Sequence, residues 1–314
     1  MLKYLQCSYF ANVYVNYVFR NIYLLSVRSE MMSVVLNRDE VLLKVFNNNI
    51  VLVSSEENEK ILFAKGIGFG KKQGHVIPKG TKIDKIFTIE NEQNISDLKN
   101  LVEQVDKDFF AVCEEAIYEI SSRINTELNE RIHIGLVDHL FFAVKRLKNN
   151  EQIENPFLIE TKTLYTREFE LSKIVAEKIG KHADIKIPDG EVGFIALHIH
   201  TALNDGKISN TMKNTYLSTS IVEYVEQELG KKIDKSSLDY ARFCTHIKFA
   251  IQRICNNVST KNDLIKVVKK TYKESYRISE GISKIISDEL NVEVTEDEVA
   301  FLTIHIERFR LNTK

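Results

Sequence analysis

The stretch FIALHIH, Phe194 to His200, sets two imidazoles into a run that otherwise has the composition of a core. A second stretch, FLTIHIE from Phe301 to Glu307, carries a histidine at the matching place. A titratable ring is a poor core filler, so its recurrence needs a reason. His139 and His198 lie 59 residues apart, as do His246 and His305, and a shift of 107 maps the first pair onto the second. Without a gap, that shift also superposes Phe142 on Phe249, Ala143 on Ala250, Arg146 on Arg253, Tyr165 on Tyr272, Ser172 on Ser279 and Glu191 on Glu298. Val192, Phe194 and Ile199 land on Val299, Phe301 and Ile306. A gapless register at core and polar positions together means two copies of one domain, placed at 98–204 and 205–314.

Both copies carry the helical period. FFAVCEEAIYEI puts Phe109, Phe110, Val112, Cys113, Ala116, Ile117 and Ile120 on one face. DIKIPDG and NVEVTED read as short connectors before helices. Thr295 and Glu298 form a T-x-x-E signature for a capping box, and Pro188 with Asp189 does a similar job in the first copy. The expected fold is therefore two homologous all-α helical bundles.

Upstream the pattern is different. VLLKVF, NNN, IVLVSS, EENEK, ILFAKGIGFGKK and KIFTIE read as short β-runs broken by turn residues, with Asn47–Asn49 as a hairpin turn in which Asn tolerates left-handed backbone. Residues 41–97 are thus a small antiparallel β domain, marginal alone, for which dimerisation is the natural remedy. Between Lys60 and Thr88 there are seven lysines (Lys60, Lys65, Lys71, Lys72, Lys79, Lys82, Lys85) against one acid, Asp84. Within that segment KGIGFGKK offers glycines for close backbone approach and Phe69 for stacking, which suits RNA; a flexible loop with solvated lysines suits the same residues equally. A P-loop does not fit, because Lys follows the Gly-Lys pair where Ser or Thr should bind magnesium, and no helix signal follows.

The 314 residues carry a formal net charge of −1, so no global basic field marks a nucleic-acid partner, although a local patch still can. Cys7, Cys113, Cys244 and Cys255 form no CxxC and suit reduced thiols in a cytoplasmic protein. Residues 1–40 precede the patterned region and read as an extension of doubtful role. Asn12, Asn16, Arg20 and Asn21 interrupt the aromatic run there, which argues against a signal peptide or a stable membrane span. Residues 1–31 read as an upstream extension, with a weak membrane-associating segment as the second reading.

For the histidines, structural filling, metal binding and phosphate acceptance compete. No HExxH or acidic partner cluster supports a metal, and no cofactor is expected. Phosphate acceptance needs an accessible ring nitrogen and an orienting group, for which Asp138, Arg146 and Arg253 are suitable neighbours. Retention of both histidines in both repeats favours that reading.

The segments LLKVFNNNIVLV, KGIGFGKK, VDHLFFAVKR, FIALHIH, CTHIKFAIQR and FLTIHIE, in this order and spacing, resemble the BglG/SacY family of bacterial transcriptional antiterminators across nearly everything after residue 40, and most closely its glucose-specific branch. That resemblance implies a co-antiterminator RNA-binding domain followed by two phosphotransferase-system regulation domains, and a regulator in place of an enzyme. It places RNA contacts at Lys44, Asn49, Lys65, Gly66, Gly68 and Phe69. Phosphorylation falls at His139 and His198 in the first regulatory domain and at His246 and His305 in the second. Lys65 stands where many members carry arginine, and His200 meets Glu307 in the repeat, so His200 is left out of the pairs. The implied partners are an RNA hairpin overlapping a terminator, a phosphotransferase-system sugar permease, the phosphocarrier HPr and a second copy of the chain. A DNA-binding activator with the same regulatory domains is the alternative, and it requires a helix-turn-helix in place of the strands.

Overall fold

Alternating apolar and polar residues give way to helical spacing near residue 90. In the computed structural model the chain divides there into a sheet unit ending at Ile86 and a helical unit from Phe87 onward. The structure describes residues 34–55, 58–124, 126–204, 206–256, 258 and 260–311. The expected extension over residues 1–31 lies outside them.

The strands are β1 (Val34–Val35), β2 (Glu40–Val45), β3 (Ile50–Ser55), β4 (Asn58–Phe63), β5 (Val76–Ile77), β6 (Lys82–Ile83) and β7 (Lys85–Ile89). Five of them form a sheet in the order β5-β2-β3-β4-β7, while β1 pairs antiparallel with β6. Leu42, Val51, Val53, Leu62, Ile77 and Ile83 make the sheet unit's core. Residues 34–40 are not extension. Val34 and Val35 pair with Ile83 and Lys82, Leu36 is buried, and the fully buried Glu40 takes Lys60 at 2.5 Å. That pairing also removes Lys60 from the exposed lysine set, because a buried carboxylate without its cation would be costly.

The β2–β3 hairpin closes over Asn47–Asn49 as expected, for a different reason. None of the three asparagines has positive φ; instead Oδ1 of Asn47 accepts the N–H of Asn49 at 2.8 Å. Local side-chain bonds of this kind stabilise a turn without left-handed backbone.

The helical unit comprises α1 (Glu92–Gln104), α2 (Lys107–Ile124), α3 (Ile132–Lys148), α4 (Leu158–Leu164), α5 (Thr166–Ala183), α6 (Asp189–Leu203), α7 (Ile208–Leu229), α8 (Leu238–Cys255), α9 (Ile265–Thr271), α10 (Lys273–Leu290) and α11 (Glu296–Leu311). The 107-residue shift carries both ends of α4 and α5 onto those of α9 and α10. It also carries Asp184 onto Asn291, which close α5 and α10 in left-handed conformation at the same φ of 53°. Such a C-cap is the usual helix stop, and here both copies retain it without glycine.

Three local expectations fail. Ala111 takes the buried place on α2 expected for the partly exposed Val112. At α11 the Glu298 N–H bonds to the Thr295 carbonyl, but its carboxylate turns to Arg253, so the reciprocal capping box does not form. At α6 Pro188 makes no side-chain cap, and Asp189 pairs with Lys162 at 2.7 Å. Sequence reading also gave no sign of Glu114, fully buried on α2, whose Oε2 lies 2.8 Å from Nδ1 of the buried His133. The Phe87 ring packs on that imidazole at 4.4 Å.

Candidate functional sites: a glycine loop and two histidine pairs

In the sheet unit the β2–β3 turn is laced to the loop over residues 64–70. The Ala64 N–H donates to the Asn49 carbonyl (3.1 Å), the Gly66 N–H to Oδ1 of Asn49 (2.9 Å) and the Gly68 N–H to the Asn48 carbonyl (2.9 Å). Gly66 has φ of +73°, and a Cβ on Gly68 would lie 2.3 Å from the Asn47 carbonyl oxygen. The first glycine serves a left-handed backbone and the second a close approach, so the KGIGFG spacing is dictated by this contact. Its product is a firm loop that holds Phe69 out, 74% exposed, beside exposed Lys65. Lys44 sits half-buried on β2 where the register with β3 shifts. Asn49 spends its side-chain oxygen on the loop.

In the helical unit α3 and α6 bring His139 and His198 together, with ring centroids 5.1 Å apart. Helices α8 and α11 do the same for His246 and His305, at 4.2 Å. Beside the first pair stands the buried Glu191. Its Oε1 accepts from Arg146 at 2.9 Å, and its Oε2 faces His139 Nε2 at 3.1 Å, close enough for an ion pair but without hydrogen-bond alignment. Burial alone would raise the Glu191 carboxyl, but His139 and Arg146 outweigh it and hold it below the usual range. Beside the second pair Glu298 is taken by Arg253 through both Nε and Nη2, each at 2.7 Å.

Burial, with the neighbouring His139 second, pushes His198 down to about 3. Burial and then His246 push His305 down to about 4. His246 is also lowered, by burial and by Arg253, with Glu298 opposing. The rings of His198 and His305 are therefore neutral near pH 7, with a nitrogen lone pair to offer an electrophile.

Comparison with known proteins bears on both sites. The model of the CAT RNA binding domain matches residues 41–96, and that of the PRD domain matches 114–202 and 219–309. Protein GlcT of Staphylococcus haemolyticus is 36% identical over 269 residues, which are 85% of this chain and 94% of the relative. The GlcA/glcB genes antiterminator of Staphylococcus carnosus is 34% identical over 273 residues, 86% of this chain and 95% of the relative. The crystal structure of GlcT CAT-PRDI is 44% identical, covering 52% of this chain and 98% of that one with a TM-score of 0.46.

The chain belongs to the GlcT branch of the CAT–PRD antiterminators. As a member of that family it is an RNA-binding regulator of transcription and not an enzyme. The two helical repeats are its PRD1 and PRD2. The DNA-binding alternative required a helix-turn-helix where this antiterminator has the CAT sheet.

Within PRD1, Asp138 is exposed and does not orient His139; Glu191 does, through its contact at 3.1 Å. Arg146 and Arg253 make their hydrogen bonds to the carboxylates and none to the rings. The signal was present in the sequence, because Glu191 and Glu298 share the 107-residue register, but a carboxylate 52 positions from its histidine announces no contact. His200 has its own partners: Nδ1 lies 2.8 Å from Oε1 of Glu168, and its ring packs, tilted, on Tyr165 at 4.1 Å. In PRD2 the equivalents, Glu307 and Ser275, form their own bond at 2.7 Å. The pair has been exchanged as a unit. Among the described residues no group of three or more His, Cys, Asp or Glu converges as a metal site, and no helix is long and apolar enough to cross a membrane.

Proposed function

We propose that this antiterminator binds, as a dimer in the cytoplasm, an RNA hairpin overlapping the terminator of a glucose phosphotransferase gene, and that phosphorylation of His139, His198, His246 and His305 switches it. The donors in this reading are the sugar permease for PRD1 and HPr for PRD2. The observation that carries it is the meeting of two histidines in each repeat, beside the same glutamate and arginine, with the second ring of each pair kept neutral. A phosphoryl group adds a charge of about −1.5 to −2, enough to reorient packed domains or protomers.

RNA contacts are proposed at Lys44, Asn49, Lys65 and Phe69, with Gly66 and Gly68 setting the loop. The lysines would neutralise phosphates, giving affinity that falls as salt rises. Phe69 would stack on an unpaired base, a contact of about 1–3 kcal/mol. Residues 34–97 hold the sheet's strands and its loop. The test is a titration of the full chain with a terminator-overlapping RNA hairpin and with duplex DNA of the same sequence. Phe69→Ala should weaken RNA binding about 10- to 100-fold at unchanged melting temperature. Unchanged binding by that variant would remove the proposed face.

A further inference from the structure

A cleft of about 370 Å³ opens beside His198, walled by α1, α3, α6 and the start of α7. Gly135, Arg131, Lys207, Thr201 and Asp97 share its lining with the imidazole. A Cβ on Gly135 would sit 3.5 Å from Nδ1 of His198, ordinary contact for one carbon, so a longer side chain would stand in the cleft against the ring.

The repeat shows what is particular here. The 107-residue shift puts Arg242 at the place of Gly135 and Asp239 at the place of Ile132. In PRD2 Arg242 and Arg308 both bear on His305, but Asp239 already occupies them at 3.6 and 3.2 Å. In PRD1 no acid stands at that position. Arg131 and Lys207 have no ion-pair partner within 4.0 Å among the described residues. The one described carboxylate on the wall, Asp97, accepts from Nε2 of Gln93 at 2.8 Å.

We propose that this cleft receives the phosphoryl group carried by His198, with Arg131 and Lys207 as its counterions and Gly135 keeping the space open. The inference rests on the reading of His198 as an acceptor. In the transfer the ring nitrogen's lone pair forms the new N–P bond while the phosphorylated protein donor's bond to phosphorus breaks, and the donor group takes the proton that the ring sheds. The product carries close to two negative charges, which need both room and cations. In PRD2 the cations beside His305 are already paired with Asp239.

The experiment uses the full chain, labelled by phosphoenolpyruvate through HPr and the glucose permease, with the label mapped to each histidine. Gly135→Leu should lower the label at His198 about tenfold or more, while His246 and His305 label normally; leucine favours the helix, so folding is kept. Arg131→Gln with Lys207→Gln should still label, but phosphohistidine at 198 should hydrolyse about fivefold faster or more, at an unchanged rate for 305. Wild-type labelling of Gly135→Leu, or an unchanged lifetime in the double variant, overturns the cleft while leaving the acceptor reading in place. Absence of label at His198 in the wild-type chain overturns the acceptor reading itself, and the cleft with it.

Discussion

PRD1 and PRD2 agree in histidine spacing and in the left-handed caps at Asp184 and Asn291, yet they differ in what holds the carboxylate beside the first histidine. In PRD2 Arg253 grips Glu298 with two nitrogens, and His246 is left exposed. In PRD1 Arg146 uses only Nη2, its Nε is buried and unpaired, and the second oxygen of Glu191 is left to face a largely covered His139. The same four residue types in the same register thus make one histidine held by an acid and another open to approach. Domain duplication preserved the parts, and the number of arginine nitrogens on the carboxylate separates the two sites.

The largest effect should come from removing the PRD1 acceptors. His139→Ala or His198→Ala should abolish permease-dependent inhibition and leave antitermination constitutive, read with a terminator-reporter fusion. If instead these changes lower the melting temperature and regulation survives, the rings are structural.

Next in size is the carboxylate. Glu298→Gln breaks a bidentate charge-assisted pair and should lower PRD2 stability by about 2 kcal/mol, seen as an earlier transition in thermal melting. Glu191→Gln should act mainly on His139, changing its imidazole NMR signals at fixed pH as the facing carboxylate disappears. Equal effects of the two changes on their histidines would erase the distinction between the domains. Arg253→Gln sharpens it from the other side: without that cation the His246 titration should move up, because Arg253 depresses it while Glu298 raises it.

Much of this arrangement was legible in the chain before its fold. The repeat, the β-to-helix boundary and the glycine loop follow from period, register and turn chemistry, all of which act between near neighbours. What was not legible is long-range pairing by charge. Lys60 counted as part of a basic patch until Glu40 claimed it, and Asp138 looked like the partner of His139 because it is adjacent. Thr295 and Glu298 matched a capping box, but a bidentate arginine outweighs a single backbone N–H for that carboxylate. His133 with Glu114 left no periodic trace at all, since a buried polar pair occupies core positions that ordinarily read as apolar.

Smaller effects concern protons and His200. His198 and His305 titrate in the folded chain near 3 and 4, below the ordinary 6.5. Between those values and about pH 6.5 the unfolded chain binds protons that the folded one does not, so stability falls as pH falls through that window. Melting temperature should drop by about 5 °C or more from pH 7 to pH 5, and the slope should flatten in His198→Gln with His305→Gln. His200→Ala should leave labelling and regulation unchanged and cost about 1 kcal/mol or more, because it breaks the Glu168 contact and the packing on Tyr165.

Whether the paired histidines carry the switch is decided by site-mapped phosphorylation of the full chain, coupled to the reporter. Acid-labile, base-stable label should appear at His139 or His198 when the permease is charged and be lost on sugar uptake, with antitermination rising as it disappears. Label absent from all four histidines, or antitermination indifferent to its presence, would contradict it.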